Sequence, residues 1–316
     1  MRQLKSHRLR NILHSAVLIT AMVALLALLG YFIAGLDGLV WAAVAAVILM
    51  VLGQHFSSSL VLRMYGAVPL SSYQSPTLYR LVAALARRAN LEHLPRLYYI
   101  PSRMMNAFSV GSRDDASLGI TDGMLRRLSL RELAGVLAHE MTHIRRNDMR
   151  VMAIADVISR VTTIFSLFGQ ILLLVNLPLL LVGKAFISWP AIILLIVAPV
   201  ISGLLQLALS RTRENEADLG AAELTGDPAG LAMALEKMEY YDANWLKRIL
   251  LPGHRVPDPS LFRSHPKTSR RVEQLMELAR IEQPALLEHE DGSWGVPEDL
   301  PQRASDPHWH ITGLWH

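Results

Sequence analysis

Residues 129–143 read Ser-Leu-Arg-Glu-Leu-Ala-Gly-Val-Leu-Ala-His-Glu-Met-Thr-His. Ser129 and Glu132 form an S-x-x-E capping box, which predicts a helix starting at Leu130. On a helix, positions i and i+4 share a face, about 5–6 Å apart at Cβ. His139 and His143 hold that spacing, so both imidazoles can bind one metal ion. Glu140 sits one position round the helix, where its carboxylate can reach a water on that metal and act as a general base. The competing reading makes the two histidines ordinary polar residues on a half-buried helix.

A catalytic zinc takes three protein ligands and keeps one position open. The chain has no cysteine, so a third ligand must be His or a carboxylate. Downstream, Arg213-Glu214-Asn215-Glu216-Ala217-Asp218 opens a helical stretch that runs to Leu224. Glu214 and Asp218 share a face and Glu216 points away, so Glu214 is the expected third ligand. Asp218 can then hydrogen-bond a ligating imidazole and fix its tautomer. Taken alone, the segment also reads as a solvated, acidic first turn favoured by the helix dipole.

Between these two segments, and before them, lie long apolar stretches at about 16–34, 39–62, 161–183 and 185–209. Each reaches the roughly 20 residues needed to cross a hydrocarbon core of about 30 Å. The first is too long for a signal-peptide core and lacks a small-x-small cleavage site. Pro190 and Pro199 leave a re-entrant hairpin open for the last pair, although membrane helices tolerate proline. Arg2, Lys5, Arg8 and Arg10 precede the first stretch, and Arg145, Arg146, Arg150 and Arg160 the third. Arg63 follows the second stretch, Arg211 and Arg213 follow the fourth, and only Lys184 lies in the outer loops. The positive-inside rule then puts both termini and both polar segments in the cytoplasm. Two crossings separate the His pair from Glu214, and an even number lets them meet on one side.

Composition agrees. Apolar residues make up 52% and charged residues 18%, with mean hydropathy +0.29. The net charge of +4 suits a protein that collects Lys and Arg beside its spans. No basic stripe interleaved with aromatics points to nucleic acid. The polar segments look folded. Ser75-Pro76 starts a helix through Leu78, Leu81, Val82 and Leu85. Short strands are expected at 97–100, 107–110 and 118–121.

With His-Glu-Met-Thr-His at 139–143 and Glu-Asn-Glu-Ala-Asp at 214–218, the chain resembles the HtpX-type membrane metallopeptidases, relatives of the CAAX-processing membrane proteases. The resemblance covers most of residues 1–280. Met105-Asn106-Ala107-Phe108, Gly119-Ile120-Thr121 with Leu125, and His265-Pro266 with Thr268 and Arg271 all match family segments. The 214–218 segment departs from family members that carry a longer acidic or tyrosine-containing version. The resemblance implies a zinc endopeptidase of the bacterial inner membrane, one Zn2+ per subunit, with a cytosol-facing site. Its expected work is quality control of damaged or misassembled membrane proteins under stress. By position it gives His139, His143 and Glu214 to zinc and the base to Glu140. It also implies that Asn106, Ala107 and Phe108 line the substrate cleft and that His265 stabilises an oxyanion. Residues 106–110 read equally well as a buried structural strand.

The expected architecture is a mainly α integral membrane protein. Four transmembrane helices accompany a zincin-like α+β cytoplasmic catalytic domain with a small β-sheet. Residues 1–65 form a first hairpin, 66–156 the catalytic segment with the HExxH helix, and 157–210 a second hairpin. Residues 211–280 carry the third ligand, and 281–316 form a tail rich in Pro, Glu, His and Trp. The expected partners are protein or peptide substrates and a lipid bilayer. A membrane scaffold with a structural or inactive metal site is the alternative. A transporter would need ionisable residues buried mid-span, and the apolar stretches hold almost none.

Overall fold

The computed structural model describes residues 2–54, 58–181, 189–249 and 268–281. In chain order its elements are α1 (Arg2–Gln54), α2 (Ser58–Met64), β1 (Val68–Pro69), α3 (Pro76–Arg88), β2 (Arg96–Ile100), β3 (Ala107–Ser112), β4 (Asp115–Thr121), α4 (Asp122–Arg127), α5 (Leu130–Arg146), α6 (Asp148–Leu181), α7 (Trp189–Thr225), α8 (Pro228–Ile249) and α9 (Thr268–Ile281). They fall into two compact units: Met1–Phe56 with Arg150–Thr212, and Ser57–Met149 with Arg213–His316.

The first unit is built from helices that are apolar on all sides. Ile12–Leu49, Asp148–Val175 and Pro190–Thr225 are each long and apolar enough to cross a membrane. Their outward faces carry large apolar side chains, among them Leu36 (75% exposed), Trp41 (65%) and Leu174 (69%). A water-soluble protein seldom displays so continuous an apolar surface, whereas hydrocarbon solvates it. Inside, Met22, Leu26 and Ala42 of α1 pack with Ala155, Ile158 and Val161 of α6 and Leu209 of α7.

The sequence predicts four spans and, among the described residues, the structure gives three such helices, because the first expected span and most of the second lie in α1. That helix is broken in the middle. Ala34 (φ −145°, ψ 28°) and Gly35 (φ 58°, ψ −137°) leave helical geometry, and the second combination is open to glycine alone. The chain doubles back there. Gly30 and Gly38 meet face to face, so close that a Cβ on Gly38 would collide with the Gly30 carbonyl. The expected second span also stops short of residue 62. Helix α1 is described to Gln54, and Leu62 belongs to α2, packed against Ile100 and Phe108.

Pro199 sits inside α7 and has no N–H to give to the carbonyl of Leu195, four residues back. An unmet carbonyl among apolar side chains is costly. Here α6 supplies the missing donors. The Ser166 hydroxyl donates to Leu195 O, and the Gln170 amide donates to the same oxygen at 3.0 Å.

The second unit carries a four-stranded sheet in the order β1-β2-β4-β3, with β2 and β4 parallel and the outer pairs antiparallel. The three expected strands are present, each slightly longer. The two-residue β1 adds an edge the sequence did not advertise, since Val68-Pro69 is too short for a pattern. Leu97, Leu118 and Ile120 of the sheet pack against Leu78, Val82 and Leu85 of α3 and Leu137 and Met141 of α5. The Ser129–Glu132 capping box is complete: Ser129 N donates to Glu132 Oε2 at 2.7 Å, and Ser129 Oγ accepts from Glu132 N. The helix closes at Asn147, in the left-handed conformation (φ 57°).

Candidate metal centre

Helix α5 delivers His139, Glu140 and His143, and α7 delivers Glu214 and Asp218. The two helices approach closely because Gly220 faces Thr142. A Cβ on Gly220 would collide with both Cγ2 and Oγ1 of Thr142. His139 Nε2 and His143 Nε2 stand 3.1 Å apart. Glu214 Oε2 lies 3.5 Å from His139 Nε2, and Glu214 Oε1 lies 3.7 Å from His143 Nε2. One ligand atom from each of the three residues fits within a 4.8 Å cluster.

The outer nitrogens explain why the inner ones point at each other. His139 Nδ1 lies 3.0 Å from Asp218 Oδ1, and His143 Nδ1 lies 2.9 Å from Asp148 Oδ2. In the neutral rings a proton on each Nδ1 would leave a lone pair on each Nε2. Two lone pairs at 3.1 Å repel unless a cation or a proton lies between them. Ligand atoms about 2.0–2.1 Å from a tetrahedral zinc stand roughly 3.3–3.4 Å from one another. The two Nε2 atoms at 3.1 Å stand near that value, and Glu214 offers one oxygen to each imidazole at 3.5 and 3.7 Å, so the donor set fits a zinc ion in type and lies close to it in spacing.

Charges behind the ligands are balanced by arginines. The Arg271 guanidinium from α9, 3% exposed, donates to both Asp218 oxygens at 2.7 and 2.6 Å and reaches Glu214 Oε2 at 3.3 Å. Arg213 NH1 donates to Asp148 Oδ1 at 3.1 Å. Burial pushes the Asp218 carboxyl up, but hydrogen bonds with His139 and Arg271 outweigh it and hold the group below the ordinary carboxylate range. Burial likewise favours a neutral His139, yet Asp218 and then Glu214 push its pKa up to about 10. A site that attracts a proton this strongly is built for positive charge.

Glu140 is buried beside this cluster and accepts a hydrogen bond from Ser109 Oγ at 2.9 Å on its Oε2. Glu216, rejected on helical phase, is turned elsewhere and ion-paired with Arg146. Asn106 is half-buried, and its carbonyl accepts from Thr121 N at 3.0 Å. The Ala107 and Phe108 side chains are buried in two different cores. His265 lies outside the described residues. Sequence reasoning missed Asp148, Arg213 and Ser109. Asp148 lies five residues beyond His143, off the i+4 spacing, and α6 brings it back. Arg271 was noticed only as part of a motif, without a contact.

A profile of Peptidase family M48 matches residues 72–279. The protease HtpX homologue of Burkholderia cenocepacia is 36% identical over 288 residues, which cover 85% of this chain and 98% of that protein. The protease HtpX homologue of Burkholderia thailandensis is 35% identical over the same length. The crystal structure of S. mikatae Ste24p aligns with a TM-score of 0.51 at 21% identity, over 87% of this chain and 67% of that one. That last likeness speaks to fold alone. Its match to the M48 profile and its near full-length likeness to the HtpX homologues place the chain in peptidase family M48, as a metalloprotease of that family.

Proposed function

We propose that this chain is a zinc-dependent endopeptidase of the bacterial inner membrane. Its active site faces the cytoplasm, and it cleaves damaged or misassembled membrane proteins. The observation that carries the chemistry is the pair of imidazoles whose Nδ1 atoms face carboxylates and whose Nε2 atoms converge on Glu214. The break at Ala34–Gly35 supports reading α1 as two spans, four in all. The shorter arm, residues 36–54, rises about 28 Å at 1.5 Å per residue, close to the hydrocarbon thickness.

His139, His143 and Glu214 would hold the zinc, and Asp218, Asp148 and Arg271 fix their orientation. Zinc, when bound, lowers the pKa of its water toward about 7 and polarises the scissile carbonyl. Glu140 takes the water's proton on a carboxylate oxygen and returns it to the leaving amine. His265, matched to the family motif, stabilises the developing oxyanion. The substrate lies extended along the outer edge of β3, paired through backbone groups that read little sequence.

The test separates an enzyme from a scaffold with a structural metal, which needs no base beside its ligands. Glu140→Gln is expected to keep one zinc per chain and to lower casein cleavage by about 10²–10⁴-fold. Cleavage at the wild-type rate would sink the mechanism. Full zinc content in Glu214→Ala would sink the third-ligand assignment.

A further inference from the structure

The Glu140 carboxylate has a partner that the zinc chemistry does not by itself require. Ser109 lies on β3, the outer strand of the sheet, in antiparallel register with Leu118. Its side chain leaves the sheet on the same face as Ala107, the face packed by α5. Phe108 and Val110 point the other way, into the cluster with Leu62 and Ile100. The Ser109 hydroxyl therefore meets α5 from the sheet and donates to Glu140 Oε2 at 2.9 Å. A hydroxyl donor marks one carboxylate oxygen as held and leaves Oε1 as the atom that handles the proton.

The backbone of the same residue faces the other way. Thr121 N donates to Asn106 O at 3.0 Å, so residues 106 and 121 form a hydrogen-bonded pair. Antiparallel pairs alternate, so Phe108 and Val110 also bond to β4, while Ala107, Ser109 and Gly111 turn their N–H and C=O outward. Ser109 thus ties the outer edge of the sheet, through its backbone, to the carboxylate on α5, through its side chain.

We propose that Ser109 is a positioning residue for Glu140. It holds the base at one oxygen, and it does so from the strand on which an extended substrate docks. This rests on the zinc-endopeptidase reading above. Seating a peptide along β3 fixes the Ser109 backbone, and with it the hydroxyl that orients the base. Binding and base alignment are then linked by one residue.

The test compares Ser109→Ala and Ser109→Thr with wild type in the full-length protein, using casein as substrate. Glu140→Gln and Glu214→Ala serve as controls. Loss of one hydrogen bond to a carboxylate predicts that Ser109→Ala lowers kcat by about tenfold, with KM within about twofold. Ser109→Thr keeps the hydroxyl on a strand that accepts a β-branched residue, and is expected to restore kcat to within about twofold of wild type. Zinc content by metal analysis should equal wild type in both. Affinity for a peptide hydroxamate should fall in Ser109→Ala by the same factor as kcat. Three outcomes each overturn the proposal: unchanged kcat in Ser109→Ala, a rise confined to KM, or loss of zinc. No rescue by threonine also counts against it. If instead Glu140→Gln cleaves normally, the zinc-endopeptidase reading itself fails, and full zinc in Glu214→Ala removes its third ligand.

Discussion

At the scale of single residues, the centre is a contest between a proton and a metal for the same lone pairs. His139 has a folded-state pKa of about 10, raised by Asp218 and Glu214 against the pull of burial. The sign follows from linkage. A raised pKa means the protonated imidazole stabilises the metal-free fold fully below the ordinary value of about 6.5. That stabilisation is lost as pH rises through about 10. Zinc can enter only as the proton leaves. Zinc affinity is therefore expected to fall about tenfold for each pH unit of acidification between pH 8 and 6. Titration calorimetry in two buffers of different ionisation enthalpy should also show about one proton released per zinc at pH 7. A pH-independent affinity without proton release would count against the charge assignment of this site. Sequence spacing was enough to find His139, Glu140, His143 and Glu214, because i,i+4 geometry is local. Asp148, Arg213 and Ser109 were out of its reach: the turn at left-handed Asn147 swings Asp148 back to His143, and tertiary contacts bring in the other two.

At the scale of elements, ligand spacing depends on how closely α5 and α7 approach, and Gly220 against Thr142 sets that distance. Gly220→Ala is expected to force the helices apart, at a cost of about 1–3 kcal/mol from overpacking. Zinc affinity should drop with it. Trimming the facing side chain, in the double variant Gly220→Ala with Thr142→Ala, should recover most of both losses. Thermal unfolding and metal content measure the two effects, and simple additivity of the two substitutions would show that the contact is not the cause. The helix start at Ser129 was legible because a capping box is a signature within four residues. The fold-back at Gly35 was legible only as a gap between two apolar runs. Its φ of 58° belongs to Gly35, and with Gly30 and Gly38 close by nothing in the pattern marks which glycine turns.

At the scale of the molecule, composition alone pointed to a bilayer, and the outward apolar faces of α1, α6 and α7 agree with it. Sidedness rests on the arginines and lysines flanking those helices. The chain contains no cysteine, so any introduced thiol is unique. In intact spheroplasts, Lys184→Cys is expected to react with a membrane-impermeant maleimide. Tyr73→Cys, at a side chain 80% exposed in the second unit, should react only after lysis. The reverse pattern would turn the proposed topology over.

The proline in α7 has one more consequence. Because Ser166 and Gln170 of α6 both bond the Leu195 carbonyl, the two helices are pinned at a single level. A piston stroke of one turn, about 5.4 Å, would carry both donors past their acceptor and strand a carbonyl in hydrocarbon. Tilting about that level keeps the bonds. Relative motion of α6 and α7 is thus a pivot around Leu195 rather than a slide along the helix axes.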